Sequence, residues 1–239
     1  MPVPDYDKDI RSSWDANAAA WTEAVRGSAI PSRAAGTDQA MIDAVQSLQP
    51  PLPPCRVIDM GCGEGWLVRR LSAETGCEAV GMDASKALID AAREAHGDVC
   101  YLALSYEEAI ARPQILAGLY DAILFNFSLL DDGPAAILAA VRGALDTNGV
   151  VVIQTVHPWT ARDEGAYMNG WRNETFAAFG GEGWQSMPWF YRILGSWFRE
   201  IEAAGLEVTK IGEPLDPNSG TPLSLLFHCC QRVSNEGVA

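Results

Sequence analysis

The chain has 239 residues, 48% of them hydrophobic, with 17 Lys and Arg against 31 Asp and Glu, a formal net charge of −14. That length and apolar fraction suffice for one globular unit with a full core. So acidic a surface repels phosphate backbones and offers no basic stripe to release counterions, which argues against a nucleic-acid partner and for a small-molecule one.

Met1-Pro2-Val3-Pro4-Asp5-Tyr6 has no cationic segment followed by an apolar one, and no apolar run reaches membrane-spanning length. A soluble, cytoplasmic protein without a membrane partner is expected. Cys55, Cys62, Cys77, Cys100, Cys229 and Cys230 contain no C-x-x-C pair. They read as reduced thiols packed as small apolar groups, with no metal site. Nothing in the composition signals an oligomeric state.

Residues 8 to 26 place Trp14, Ala18, Trp21 and Val25 at helical spacing on a polar, Ala-rich background, an amphipathic helix. Its tryptophans either anchor it on the domain or lay it, with Trp21, over a ligand pocket. A break at Ile30-Pro31-Ser32-Arg33 follows, then a helix over 38–48; Arg33 is either a solvated cation or a bidentate clamp for a ligand carboxylate. Gln49-Pro50-Pro51-Leu52-Pro53-Pro54 is stiff and extended, and delivers the chain to the first strand.

From there strand and helix patterns alternate. Val57 and Ile58 belong to a short β-branched run, followed by Gly61-Cys62-Gly63-Glu64-Gly65 and a helix over 65–74 closed by Thr75-Gly76. Ala79 to Met82 is a second strand ending in Asp83, with Ser85 capping a helix to about Ala95. Val99 to Ala103 is a third strand with Ser105 and Tyr106 in the next turn, and Tyr120 to Asn126 a fourth with a helix over Pro134 to Leu145 behind it. Thr147-Asn148-Gly149 turns into a fifth strand, Val150 to Thr155. Such alternation means a parallel sheet with helices on both faces.

Residues 157–190 carry four of the eight tryptophans with no clear period, either a surface excursion or a lid over the carboxyl edge of the sheet. A helix over Tyr191 to Ala204 and two strands, Leu206 to Ile211 and Leu223 to Cys230, close the chain around a turn-rich Glu213 to Pro222.

Three glycines at alternate positions between strand and helix make a ligand cradle, since they let the backbone turn sharply and keep Cβ atoms away from what it holds. A dinucleotide fingerprint has its third glycine at the sixth position; here Gly65 falls one place early and Trp66 stands sixth. Asp59, just before the turn, would repel a diphosphate and suits a ligand with a positive amino group.

On these residues the chain resembles the class I S-adenosylmethionine-dependent methyltransferases. Val57 to Gly65 is similar to their first motif, so that Asp59, Gly61, Cys62 and Gly63 would hold the methionine part of the cofactor. Asp83 matches the acidic residue that takes both ribose hydroxyls, through charge-assisted bonds of about 1.5–3 kcal/mol each. Ala84 would flank the adenine, as would Ser105 and Tyr106, although Ala103 and Leu104 stand where an acidic residue is often found. Tyr120 to Leu130 resembles the fourth-strand motif, which sets Asn126 and Phe127 beside the sulfonium.

The resemblance implies an α/β, Rossmann-like, doubly wound sheet of seven strands in order 3-2-1-4-5-7-6, the seventh antiparallel. It implies one methyltransferase domain: an N-terminal helical cap at 1–54, a cofactor core at 55–156, a substrate lid at 157–190, and a closing helix and strands at 191–239. S-adenosyl-L-methionine would be the cofactor and S-adenosyl-L-homocysteine the product of methyl transfer to a small organic acceptor at oxygen, nitrogen or carbon.

His157, after the fifth strand, is the candidate general base, because imidazole titrates near neutral pH. His96 and His228 read as structural. Trp159, Tyr167, Trp171 and Trp189, with Trp184 and Phe190, are the candidate acceptor pocket, and Arg162 and Arg172 the candidate partners for an acidic group on the acceptor. A non-catalytic binding protein on the same fold and a nicotinamide-dependent oxidoreductase remain as alternatives.

Overall fold

The strand leading into the glycine turn, β1 (Arg56–Met60), lies inside a seven-stranded sheet. Its parallel neighbours are β2 (Glu78–Asp83) and β4 (Tyr120–Asn126), and β3 (Cys100–Ala103) pairs in parallel beyond β2. On the other side follow β5 (Leu145–Val156), parallel to β4, then β9 (Ser224–Gln231), antiparallel to β5, and β8 (Leu206–Gly212) at the edge. The order β3-β2-β1-β4-β5-β9-β8 is the expected 3-2-1-4-5-7-6 with an antiparallel seventh strand. The computed structural model describes residues 5–48, 55–95, 99–116, 118–162, 166–179 and 183–232. The proline-rich approach at 49–54 and His96 lie outside these residues.

Alternation along each strand sends side chains to two faces, and both faces are covered. Ile58, Ile123, Phe125 and Ile153 pack against α6 (Ala135–Arg142) through Leu138 and Val141, and against α7 (Leu194–Ala203) through Trp197 and Ile201. On the opposite face Val57, Leu124 and Val152 meet Met41 and Ile42 of α2 (Asp38–Gln46), Leu67 and Leu71 of α3 (Trp66–Thr75), and Ile89 of α4 (Lys86–Glu94). The short α5 (Tyr106–Ala111) follows β3, and α1 (Tyr6–Arg26) precedes them all. Among the described residues no helix is long and apolar enough to cross a membrane.

Three boundaries differ from expectation. β5 begins at Leu145, which pairs with Tyr120, while Val150 pairs with Ala122, so the Thr147-Asn148-Gly149 turn is folded into the strand as a bulge. Gly149 makes this possible, since a Cβ there would meet the Tyr120 carbonyl at 2.7 Å. The helix expected from Tyr191 starts at Leu194, because Tyr191 ends a strand and its hydroxyl donates to the Pro158 carbonyl at 2.6 Å. The aperiodic 157–190 segment contains an antiparallel hairpin, β6 (Gly170–Glu174) with β7 (Met187–Tyr191), separate from the main sheet. β7 has aromatic residues on both faces, Trp189, Phe190 and Tyr191 in succession, which hides the two-residue period.

Candidate functional site

The carboxyl ends of β1, β2 and β4 open onto the glycine turn. Gly61, Gly63 and Gly65 have φ of +81°, +56° and +83°, a region costly for any residue with a Cβ. A Cβ on Gly61 would collide with the Cβ of Ser128, and one on Gly65 would lie 2.5 Å from the Tyr101 hydroxyl. The amides of Gly61 and Cys62 both donate to the Met82 carbonyl, at 2.7 and 2.9 Å, which ties the turn to β2. Ser128 Oγ and the Tyr106 hydroxyl both donate to the Met60 carbonyl, at 2.6 and 3.0 Å, fixing the β4 and α5 sides to the same point.

Two carboxyls flank the turn, Asp59 buried and Asp83 half-buried. Asp83 accepts the Gly63 amide and the Ser85 amide, both at 2.8 Å, yet burial pushes it up to about 6. Asp59 is 3% exposed, and its Oδ1 has no hydrogen-bond partner. Burial first, then the charge of Asp83, pushes it up to about 8. Asn126, at the end of β4, likewise holds a buried Oδ1 with no partner. Phe127 next to it has φ +55°, strain of the kind found at ligand sites, and its amide donates to the Gln154 carbonyl at 2.8 Å.

These groups face a cavity of about 530 Å³, a volume suited to a ligand of nucleoside size. Asp59, Gly61, Cys62, Gly63, Asp83, Ala84, Ser105, Tyr106, Asn126 and Phe127 line it, and so do Trp21 and Arg33. Arg33, however, is held in a fork by Asp38, at 2.9–3.1 Å, and stacks 4.3 Å over Trp66, so its charge is already matched.

The roof comes from α1 and the inserted hairpin region. Trp14 and Trp21 meet edge to face at 5.1 Å, Trp14 reaches Phe176 at 6.2 Å, and all three line the cavity. Asn17 locks the two roof pieces together: its Nδ2 donates to the Gln185 carbonyl at 2.7 Å and its Oδ1 accepts the Gln185 amide at 2.8 Å. At the other end Tyr6 stacks on Trp171 at 3.8 Å. A buried charge cluster joins α1 to the turn, with Glu64 Oε2 taking Arg26 at 3.0 Å and Arg69 at 2.7 Å.

The structure does not bring His157 to the cavity. Its Nε2 lies 2.9 Å from Glu213 Oε1, its Nδ1 accepts the Trp159 amide at 3.3 Å, and both ring nitrogens are thereby engaged in the loop. Trp159, Tyr167, Trp171 and Trp189 are also away from the cavity lining, because each ring is taken up elsewhere. Trp159 is stacked under Arg162 at 3.7 Å, the Tyr167 hydroxyl accepts the Leu194 amide, Trp171 covers Tyr6, and Trp189 packs on Tyr191. Arg172 stacks 3.5 Å over Tyr191 and donates to the Ala161 carbonyl. From this segment the cavity receives Glu174, Phe176 and Met187 instead.

Sequence reasoning passed over Ser128, Asp7, Glu107, Asp131 and Asp132, which also line the cavity. Trp14, two turns from Trp21 on the same face of α1, lines the cavity with it. The acidic residues carried no signal, since an Asp or Glu beside a cavity and one elsewhere on the surface are written alike.

A family model described as a methyltransferase domain matches residues 33–211. A malonyl-[acyl-carrier protein] O-methyltransferase from Halalkalibacterium halodurans is 31% identical over 113 residues, 45% of this chain and 41% of that protein, so the match spans under half of the relative's length. A solved S-adenosylmethionine-dependent methyltransferase from Mesorhizobium loti has a TM-score of 0.58 at 18% identity, over 78% of this chain and 95% of that one. The 1,6-didemethyltoxoflavin-N1-methyltransferase of Burkholderia thailandensis, solved with 1,6-didemethyltoxoflavin and S-adenosylhomocysteine, has a TM-score of 0.63 at 15% identity, over 98% and 93%. With the sheet order, the glycine turn and the family match agreeing, the chain belongs to the methyltransferase-domain family and has the fold of class I S-adenosylmethionine-dependent methyltransferases.

Proposed function

We propose that this protein transfers a methyl group from S-adenosyl-L-methionine to a small organic acceptor, releasing S-adenosyl-L-homocysteine. The observation that carries the reading is the unpartnered Asp59 oxygen, 3% exposed, in the cavity beside Asp83. A buried carboxyl without a partner is costly, and a cationic amino group on the ligand would offset that cost. Asp83 has a carboxylate to offer two ribose hydroxyls, and Ala84, Ser105 and Tyr106 form the wall an adenine would meet. The glycine turn admits the methionine chain where any Cβ would intrude. The bound sulfonium supplies the methyl group with a neutral thioether as leaving group. The protein's share is to align the acceptor and exclude water, for which the roof of α1 and the inserted hairpin acts as a lid.

A diphosphate ligand fits poorly, because Asp59 and Asp83 flank the turn where it would lie. An acceptor like the malonyl group in the relative's name would face Asp7, Asp131 and Asp132. Six unpaired cysteines fit a reducing, cytoplasmic setting.

Calorimetry with S-adenosylmethionine, S-adenosylhomocysteine and NADH tests the reading. The first two are expected to bind and NADH is not. Asp83→Asn is expected to weaken both by about tenfold or more, the loss of roughly 1.4 kcal/mol of charge-assisted bonding. NADH binding without S-adenosylhomocysteine binding overturns it.

A further inference from the structure

We infer that the acceptor end of this cavity takes an organic cation, a primary or secondary amine carried in as its ammonium on an apolar or aromatic body. This rests on the methyltransferase reading and names the acceptor class within it. Four acidic residues of the cavity lining come from three elements: Asp7 on α1, Glu107 on α5, and Asp131 with Asp132 after β4, of which Asp131 is half-buried and the others are exposed. These groups feel one another. Burial raises the Asp7 carboxyl, and Glu107 and Asp132 raise it further; burial raises Asp131, and Asp7 adds to that.

The cations on hand match only part of this charge. Arg11 lines the cavity but is paired with Glu107 at 2.9 Å, both about half exposed. Arg192 donates to the Asp131 backbone carbonyl at 2.9 Å, lies over Trp197 and Phe190, and is absent from the lining. Its field lowers Asp131, yet the net shift of that carboxyl is upward. Glu174, also in the lining, gives Oε1 to the Phe176 amide at 2.7 Å.

A second observation asks for a donor independently of the acids. Asn126 also lines the cavity, and its buried Oδ1 lacks a partner that an N–H would supply. Trp14 and Phe176 add aromatic rings to the lining, and ring faces attract ammonium groups. Among the described residues no three His, Cys, Asp or Glu side chains converge to hold a metal ion, so the cation that fits is organic. The proton balance closes: the ammonium gives one proton through the carboxylates to solvent, and its nitrogen lone pair forms the N–C bond as the C–S bond breaks onto sulfur. A secondary or tertiary ammonium and a neutral thioether leave.

The test uses the full chain saturated with S-adenosylhomocysteine and two probes of like shape and opposite charge, phenethylamine and 3-phenylpropionate, titrated by tryptophan fluorescence at low salt. Phenethylamine is expected to bind at least about tenfold more tightly than 3-phenylpropionate, with a preference that shrinks as salt screens it. Asp7→Asn with Asp131→Asn is expected to abolish the preference. The unmutated protein carries the same test by pH, since phenethylamine affinity should fall as acid protonates Asp7 and Asp131. Equal affinities, a preference for 3-phenylpropionate, or binding of neither probe to the loaded protein overturns the inference while leaving the methyltransferase reading intact. Failure of S-adenosylhomocysteine itself to bind overturns both.

Discussion

Asp59 and Asp83 stand at the ends of adjacent parallel strands, and the charge of Asp83 adds to burial in holding the Asp59 proton up to about pH 8. An ammonium brought beside Asp59 favours its ionised form, so binding expels that proton. Calorimetry of S-adenosylhomocysteine at pH 7 in buffers of different ionisation enthalpy should therefore show net proton release. In the ligand-free protein both carboxyls have folded values above the unfolded 3.8. Their contribution to stability is complete below about 3.8 and is lost as pH rises through about 6 and then about 8. The ligand-free melting temperature should accordingly drop across that interval, and less so with ligand bound. Binding that takes up protons at pH 7 contradicts the assignment.

Gly61→Ala tests the cradle. The new Cβ would have to hold φ +81° and would strike the Ser128 Cβ. The backbone term alone is about 1–2 kcal/mol, and the clash adds to it. Denaturant unfolding is expected to show a loss at least that large, together with weakened S-adenosylhomocysteine binding. Unchanged stability and affinity would show that the turn relaxes freely.

The sheet was legible because each of its strands is a short apolar run bounded by a turn or a helix cap, so period and punctuation agree. Ser85 shows this locally, since it caps α4 by accepting the Leu88 amide as its place after Asp83 implied. The glycine-turn side of the cavity was legible for a related reason: Asp59, Gly61 and Asp83 lie at strand ends, where the chain direction decides what they face. The roof of the cavity was not. Whether Trp171 or Phe176 enters the cavity depends on how the hairpin folds back on α1, through Asn17 to Gln185 and Tyr6 to Trp171, contacts far apart in sequence. Local pattern therefore identified an aromatic segment without choosing among its rings.

Glu64 is fully buried at 0% exposure, with Oε2 shared by Arg26 and Arg69 and Oε1 unpartnered. Arg26 also donates to the Ala91 carbonyl at 2.8 Å, so this cluster pins the end of α1 to both the glycine turn and α4. Glu64→Gln removes the charge at nearly constant volume, and hydrogen bonds to charged groups are worth about 1.5–3 kcal/mol. A loss of stability of that order is expected. Hydrogen exchange should locate it, with faster exchange in the last turns of α1 and little change in β4 and β5. Uniform acceleration throughout would instead mean that the cluster supports the whole fold and not the roof.

His157→Gln separates a base from a buttress. A general base contributes roughly 10²–10⁴-fold to rate, so its removal would be unmistakable. Here the ring lies between Glu213 and the Trp159 amide, and it is absent from the cavity lining. The variant should keep kcat within about tenfold of the parent once an acceptor is in hand. It should also keep its affinity for S-adenosylhomocysteine, because no residue around the glycine turn bonds to the ring. What it should lose is the tie from the end of β5 to Glu213, a charge-assisted bond partly open to solvent and worth on the order of 1 kcal/mol. A hundredfold fall in kcat with unaltered melting temperature would restore His157 to catalysis and require the 157–162 loop to turn its ring inward during turnover. The structure favours the buttress, because releasing the ring would give up its bonds to the Trp159 amide and the Glu213 carboxylate at once.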